Sequence, residues 1–194
     1  MSKIEVNEIV NQSGDNDSGI DLTTNDQIGF KIANASKWTL NSSGNLFPAS
    51  TSQGIVLGAT SDTSANRLED YEEGHISAPV VKVGGTVCTL GSTSGLYYTK
   101  IGRGVLVQVE FRISNYNGGS DETTVDLPFT AASGNYTTGV LRVYSGSVSG
   151  REFSTIQSNE AVLKFNINND GGATTNYTPA INAYIYTSLF YITA

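Results

Sequence analysis

Apolar residues at every second position from Val105 to Ile113 constrain the fold more than any other feature of this chain. Successive side chains of a β-strand point to opposite faces of the sheet, so the alternation predicts a strand with one buried face and one largely wet face. The apolar positions are Val105, Val107, Val109, Phe111 and Ile113, and the residues between them are Leu106, Gln108, Glu110 and Arg112.

Strand-like runs and glycine-rich turns continue from this point to the last residue. Gly84 and Gly85 separate two apolar runs and predict a two-residue hairpin turn. The final run, Ile181–Ile192, is apolar on both faces, which favours a central strand or a subunit contact. No helical stripe is visible after residue 75. We therefore predict an all-β fold in which residues 76–194 form an antiparallel, jelly-roll-like β-sandwich.

Residues 1–67 contain only short apolar runs between polar turns. Asn41–Asn45 predicts a hairpin, with Gly44 where the turn needs a positive φ. Short strands with open edges make a poor core by themselves, so we expect identical chains to share strands or faces around a symmetry axis. This segment is interpreted as a β-hairpin attachment and stalk region. The runs are Ile28–Ile32, Trp38–Leu40, Leu46–Phe47 and Ile55–Leu57.

Charge is concentrated in the first part of the chain. Up to His75 there are eleven acidic and four basic residues, which account for the whole net charge of −7. Nucleic acid is excluded as an expected partner, because neutralising phosphates needs a basic surface. The acids are expected to form a solvated face, with cations or a basic neighbouring protein as the alternative partners.

Two further observations concern redox and membranes. Cys88 is the only cysteine and lies in an apolar run, so we predict a small core residue and no intrachain disulfide. No run approaches the roughly 18–20 apolar residues that span a bilayer, and no signal region is recognisable. The chain is therefore expected to be made in a cytoplasm, without membrane insertion.

An acidic stretch separates the two regions, and we predict a junction over residues 68–75. It places four carboxylates around one tyrosine and ends at a glycine. Salt bridges to Arg67 or to another subunit are possible roles. Glycosidases need two carboxylates roughly 5–9.5 Å apart across a cleft, and no cleft-forming sequence lies beside these, so no enzyme and no catalytic residue is expected. The junction residues are Glu69, Asp70, Tyr71, Glu72, Glu73 and Gly74.

Metal and cofactor sites are not expected either. Residues 11–19 resemble part of a calcium loop but lack the downstream glutamate. His75 is the only histidine and has no evident partners for a metal site or a catalytic triad. The glycine pairs lack the following helix that a phosphate-binding loop needs.

The tyrosines are the remaining indication of a binding surface in this sequence. Tyrosines within strands are expected to pack, whereas those in loops at the ends of a sandwich can meet a ligand. We predict a weak, multivalent contact surface for host glycans, in which several copies raise avidity. Its predicted members are Tyr116, Asn117, Tyr136 and Tyr177.

The acidic stretch Leu68–Gly74 also resembles the "L-(D/E)-D-Y-E-E-G" junction of tail-fibre and other virion-appendage proteins of tailed bacteriophages, especially those of aquatic bacteria. The residues after the glycine, His75–Pro79, depart from the pattern of that family. Further segments resemble the same family in the same order: Lys3–Ile9, Trp38–Leu46, Tyr98–Val105, Leu127–Thr130 and Phe190–Thr193.

The resemblance implies a homotrimeric, non-enzymatic protein of the virion, on the tail or capsid surface, assembled in the bacterial cytoplasm. It implies that the N-terminal segment docks on other virion proteins and that the C-terminal sandwich faces a host glycan or protein receptor. We therefore expect a tail fibre or receptor-binding adhesin. A capsid decoration or head-fibre protein is one alternative, and a free-standing carbohydrate-binding module is another.

Overall fold

A computed structural model shows that the chain is built from β-strands. No helix occurs among the residues that the structure describes, and hence none that could cross a membrane. The all-β class is confirmed. Contacts divide the chain into two compact units, residues 1–70 and residues 71–194. The described residues are 5–11, 17–61, 67–68, 70–146, 150–168 and 174–194.

The N-terminal unit contains a five-stranded antiparallel sheet in which the strands pair in sequence order. The predicted hairpin is confirmed: Leu40 lies opposite Leu46, and Gly44 has a φ of +80°. A separate two-stranded sheet follows. The strands are β1 (Glu8–Val10), β2 (Gly19–Asp21), β3 (Ile28–Ile32), β4 (Ala35–Leu40), β5 (Leu46–Pro48), β6 (Ile55–Val56) and β7 (Arg67–Leu68).

The C-terminal unit contains one twelve-stranded antiparallel sheet. Its strands pair in the order β10-β9-β14-β17-β16-β15-β19-β13-β12-β8, while β11 pairs with β13 and β18 pairs with β17. The strands are β8 (Tyr71–Ile76), β9 (Val81–Val83), β10 (Thr86–Val87), β11 (Thr89–Leu90), β12 (Gly95–Ile101), β13 (Gly104–Asn115), β14 (Thr123–Asp126), β15 (Thr137–Tyr144), β16 (Arg151–Ile156), β17 (Val162–Asn168), β18 (Thr174–Asn176) and β19 (Tyr184–Ile192).

A single hydrophobic core fills the C-terminal unit. Val81 and Val83, near one end of the strand order, share it with Leu96, near the other end. A flat sheet could not bring these strands to one core, so the sheet curls until its two parts face each other. The predicted sandwich is therefore formed by one continuous curled sheet.

Several predicted strands and turns are confirmed. The apolar positions from Val105 to Ile113 are all buried in β13. The final strand β19 lies centrally, between β13 and β15. Gly84 and Gly85 form the turn between β9 and β10, both with positive φ. Cys88 is a free, buried thiol, and this burial raises its pKa.

The acidic junction is shorter than the predicted range of 68–75. Residues from Tyr71 onward form β8, which pairs with β12 from Tyr71 opposite Ile101 to Ile76 opposite Leu96. The units separate between Asp70 and Tyr71, and Glu69 lies outside the described residues. β8 is the last strand of the sheet order, and charged side chains on an edge strand oppose pairing with foreign strands. The carboxylates therefore suit a sheet edge as well as a connector.

Candidate binding surfaces

Tyr177, one of the four predicted contact residues, lies in the core. Only 5% of its surface is exposed, and burial raises the pKa of its phenol to about 12. A buried ring cannot stack on an external ligand. Its position in a loop rich in Asn and Thr suggested exposure, but packing against the core decides its environment.

Tyr116 and Asn117 hold loops together. The Tyr116 hydroxyl donates a hydrogen bond to the Pro179 carbonyl, and its ring packs against the core. Asn117 has a φ of +56°, and its amide donates to the Val87 carbonyl at 2.9 Å and to Thr89 Oγ1 at 3.1 Å. Both side chains therefore have structural partners within the chain.

Tyr136 is 74% exposed but lies far from these residues. It precedes β15, where the Thr137 hydroxyl donates to the Phe190 carbonyl near the end of β19. Tyr116 follows the part of β13 that pairs with Tyr184, at the start of β19. Tyr184 and Phe190 are six residues apart along β19, which corresponds to about 20 Å. The four predicted residues do not share one surface.

The junction carboxylates accept hydrogen bonds from tyrosines. The Tyr71 hydroxyl donates to Glu73 at 2.8 Å, and the Tyr98 hydroxyl donates to Glu72. Each bond raises the pKa of its tyrosine. Gly74 makes the second bond possible, because a Cβ there would lie 2.5 Å from Cζ of Tyr98. The glycine lets the Tyr98 ring lie across β8.

A groove of about 400 Å³ lies on the outward face of the central strands of the C-terminal unit. Most of its lining residues alternate with core residues along β12, β13, β15 and β19, so they point away from the core. We call it the sheet groove. Its lining residues are Tyr97, Gln108, Val109, Glu110, Val140, Arg142, Tyr186, Thr187 and Ser188.

Strand register arranges the outward residues of the sheet groove in two rows. The first row runs from Tyr97 through Gln108 and Ser188 to Val140. The second row runs from Glu110 through Tyr186 to Arg142. Sequence reasoning missed this surface, because it assigned the tyrosines within strands to packing. The polar residues that alternate with core residues along β13 could have indicated this surface, because they mark the solvent-exposed face of the sheet.

One wall of the sheet groove is a fixed aromatic ring. His75 of β8 stacks on Tyr97 with ring centroids 4.2 Å apart and planes within 4°. Both rings lie close to Gly95, where a Cβ would be 3.0 Å from His75 Nε2 and 3.3 Å from Tyr97 Cε2. Since β8 and β13 flank β12 on opposite sides, the Tyr97 face turned away from His75 faces the groove.

The opposite wall combines an aromatic ring with charge. The guanidinium carbon of Arg142 lies 5.8 Å from the centre of the Tyr186 ring, and Glu110 lies on the other side of that tyrosine. The groove therefore offers ring faces, donors and acceptors, which suits binding. Among the described residues no three His, Cys, Asp or Glu side chains gather closely enough to hold a metal ion.

A second surface belongs to the N-terminal unit. Directly paired residues of a sheet point to the same side, so register defines one apolar face across all five strands. We call it the apolar face. Leu46 is 57% exposed and Phe30 41% exposed, and no described residue of this unit is buried. Its rows are Ile9-Ile20-Phe30-Trp38-Pro48 and Ile28-Leu40-Leu46.

The opposite side of the same sheet is largely polar. It carries Asp21, Thr39 and the ion pair between Lys31 and Glu8. Its apolar residues are Phe47, directly opposite Thr39, and Val10, which shares a row with Gly19 and Lys31. The sheet is thus amphipathic, with a polar side and an apolar side that the described residues leave largely exposed.

Comparison with known proteins gives no relative, since no protein-family model, curated protein or solved structure matches this chain. The two surfaces, and the residues that form them, are therefore what bears on function.

Proposed function

We propose that this chain is a homotrimeric structural protein of a bacteriophage virion, a tail fibre or receptor-binding adhesin that attaches the particle to its host. One observation carries the proposal: an apolar face spans five strands of the N-terminal unit, and the described residues cover it only in part, where Gly54 and Ile55 lie beside Phe30, Trp38 and Leu46. A chain built to work alone would expose this face to water. The resemblance of Leu68–Gly74 to phage appendage proteins supports the viral setting.

Hydrophobic burial supports association of sister copies. Fully burying one Ile, Leu or Phe side chain contributes about 1.5–3 kcal/mol, and half-exposed members of the apolar face still have much of this to gain. Identical copies related by a rotation axis can turn the same face inward and form a closed core. The side that carries Glu8, Lys31 and Asp21 then remains in water.

The two units support a division of labour. The N-terminal unit, residues 1–70, holds nine acidic and four basic residues, which suits docking to a basic surface of another virion protein. The C-terminal unit has its own core and an outward face with a groove. In this proposal the N-terminal unit attaches and assembles, while the C-terminal unit meets the host surface.

Light scattering on the full-length protein tests the assembly. We expect three times the mass of one chain for the wild type and a smaller species for Phe30→Asp, which places a charge on the apolar face. Phe47→Asp is the matched control, because Phe47 is 44% exposed on the opposite side of the same sheet. A wild-type monomer that unfolds cooperatively, N-terminal unit included, contradicts the proposal.

Location on the particle tests the viral role. Antibody labelling of purified phage particles is expected to mark the tail. Labelling spread over the capsid would favour the decoration or head-fibre alternative, and particles without the protein would contradict the virion assignment.

A further inference from the structure

We infer that the sheet groove is a binding site for neutral pyranose sugars of a surface polysaccharide. The inference rests on the proposed receptor-binding role and adds the site and the ligand class. The volume of about 400 Å³ falls at the lower end of small-molecule sites, which is enough for one or two sugar rings. The lining residues come from four neighbouring strands, so backbone pairing between these strands sets their positions.

Tyr97 supplies a prepared stacking surface. Sugar rings present C–H groups on one face, and these pack on aromatic rings. The stack on His75 holds one face of Tyr97 and leaves the other towards the groove. Because the ring is already held in place, little side-chain entropy remains to be lost on binding. Two strands away, the Tyr186 ring lies beneath the Arg142 guanidinium and places that group at the opposite wall of the groove.

Polar side chains between the rings match the hydroxyl groups of a sugar. The Gln108 amide offers both donors and an acceptor, the Glu110 carboxylate accepts, and the Arg142 guanidinium donates in a planar fork. Neighbouring sugar hydroxyls each donate and accept, so such planar groups can bind them in pairs. Ser188 adds a hydroxyl in the row of Gln108.

Charge selects neutral sugars over acidic ones. The lining holds one acid, Glu110, and one base, Arg142, so its formal charge balances. A polyanion needs an excess of basic groups, which this lining lacks. An apolar peptide or the flat face of a sister copy would leave both charges without water or partners at a cost. A hydroxyl-rich ring satisfies both.

Glycan arrays with the full-length protein test the inference. The probes are one panel of neutral hexose oligosaccharides and one panel of uronic-acid and sialic-acid oligosaccharides. We expect binding to members of the neutral panel, a loss of roughly tenfold or more for Tyr97→Ala and for Arg142→Ala, and near-normal binding for Tyr97→Phe. Tyr136→Ala is the matched control, because this exposed tyrosine lies outside the groove.

The mass and unfolding midpoint of each variant are measured alongside. Wild type that binds neither panel, binds only the acidic panel, or binds equally well after both groove substitutions overturns the inference. Groove variants that dissociate the assembly also overturn it, because they would show that the groove is a subunit contact. The proposed trimer is tested separately. It is contradicted if the wild type does not have three times the mass of one chain, or if Phe30→Asp has the same mass as the wild type.

Discussion

The rings of Phe111 and Phe165 meet edge to face, with centroids 5.5 Å apart and planes at 77°. Their strands, β13 and β17, are separated by four strand-to-strand steps in the sheet. In a flat sheet four steps would place the strands about 19 Å apart. The contact therefore shows that the sheet curls until β13 and β17 face each other. Both rings are fully buried where these two parts of the sheet meet.

Phe165→Ala is expected to destabilise the C-terminal unit by about 3–5 kcal/mol, because it removes a buried ring and leaves a cavity. Denaturant unfolding of the full-length protein measures the change. Phe190→Ala is the control, since Phe190 lies on the outward face and is largely exposed, and it should cost less than about 1 kcal/mol. Equal costs for the two substitutions would contradict the assignment of the core.

The contact between the two rings can be measured by itself. A double-mutant cycle with Phe111→Leu and Phe165→Leu should give a coupling energy of about 0.5–1.5 kcal/mol, as aromatic pairs do. Additive costs would mean that the rings do not touch and that the sheet closes differently.

Gly74→Ala is expected to destabilise the protein by about 1–3 kcal/mol, because the new Cβ would lie 2.5 Å from the Tyr98 ring. Displacing that ring also disturbs its hydrogen bond to Glu72 and its edge contact with Phe129, whose centroid lies 5.4 Å away. Unfolding measurements in two backgrounds check this. In a Tyr98→Ala protein the same glycine substitution should cost little, and an unchanged cost would place its origin elsewhere.

Local pattern was enough to predict the elements whose environment repeats along the chain. The alternation of Val105–Ile113 predicted a strand with one buried face, and that face is buried in β13. The two-sided apolar run of β19 predicted a central strand or a subunit contact, and β19 lies centrally in the sheet. β8 was missed as a strand because its acids resemble a connector. Only its pairing with β12, twenty to thirty residues away in sequence, reveals it.

The candidate site depended on register, which local sequence does not contain. Tyr97, Glu110, Arg142 and Tyr186 are scattered over some ninety residues and meet only because β12, β13, β19 and β15 are neighbours. Loop composition gave Tyr136 and Tyr177 the same expected role. Packing separates them, since the first is exposed and the second is buried.

Thr187→Val is expected to cost about 1–3 kcal/mol, because it leaves a buried hydroxyl without its partner. The Thr187 hydroxyl donates to the Val140 carbonyl at 2.9 Å, so Ser154 donates to Thr187 across the 2.6 Å between their oxygens. Ser154→Ala should cost less, about 0.5–1.5 kcal/mol, since Thr187 keeps its acceptor. Denaturant unfolding of both single variants and the double variant should show that the second change costs little after the first. Fully additive costs would contradict the pairing.

Alkaline pH is expected to destabilise the C-terminal unit partly through Tyr177. Burial raises the pKa of its phenol from 10 to about 12, so between these values the unfolded chain loses a proton that the folded chain keeps. The contribution of Tyr177 is therefore fully present below pH 10 and is lost as the pH rises towards 12.

Tyr177→Phe removes the titrating group while keeping the ring, so its unfolding midpoint should fall less steeply above pH 10 than that of the wild type. Burial also raises the pKa of Tyr191, which remains in the variant, so part of the decline should persist. Tyr136→Phe is the control, because it makes the same chemical change at an exposed tyrosine. Denaturant midpoints from neutral pH to about pH 11.5 provide the measurement. If Tyr177→Phe declines as steeply as the wild type, Tyr177 is not buried in the folded protein as the structure has it.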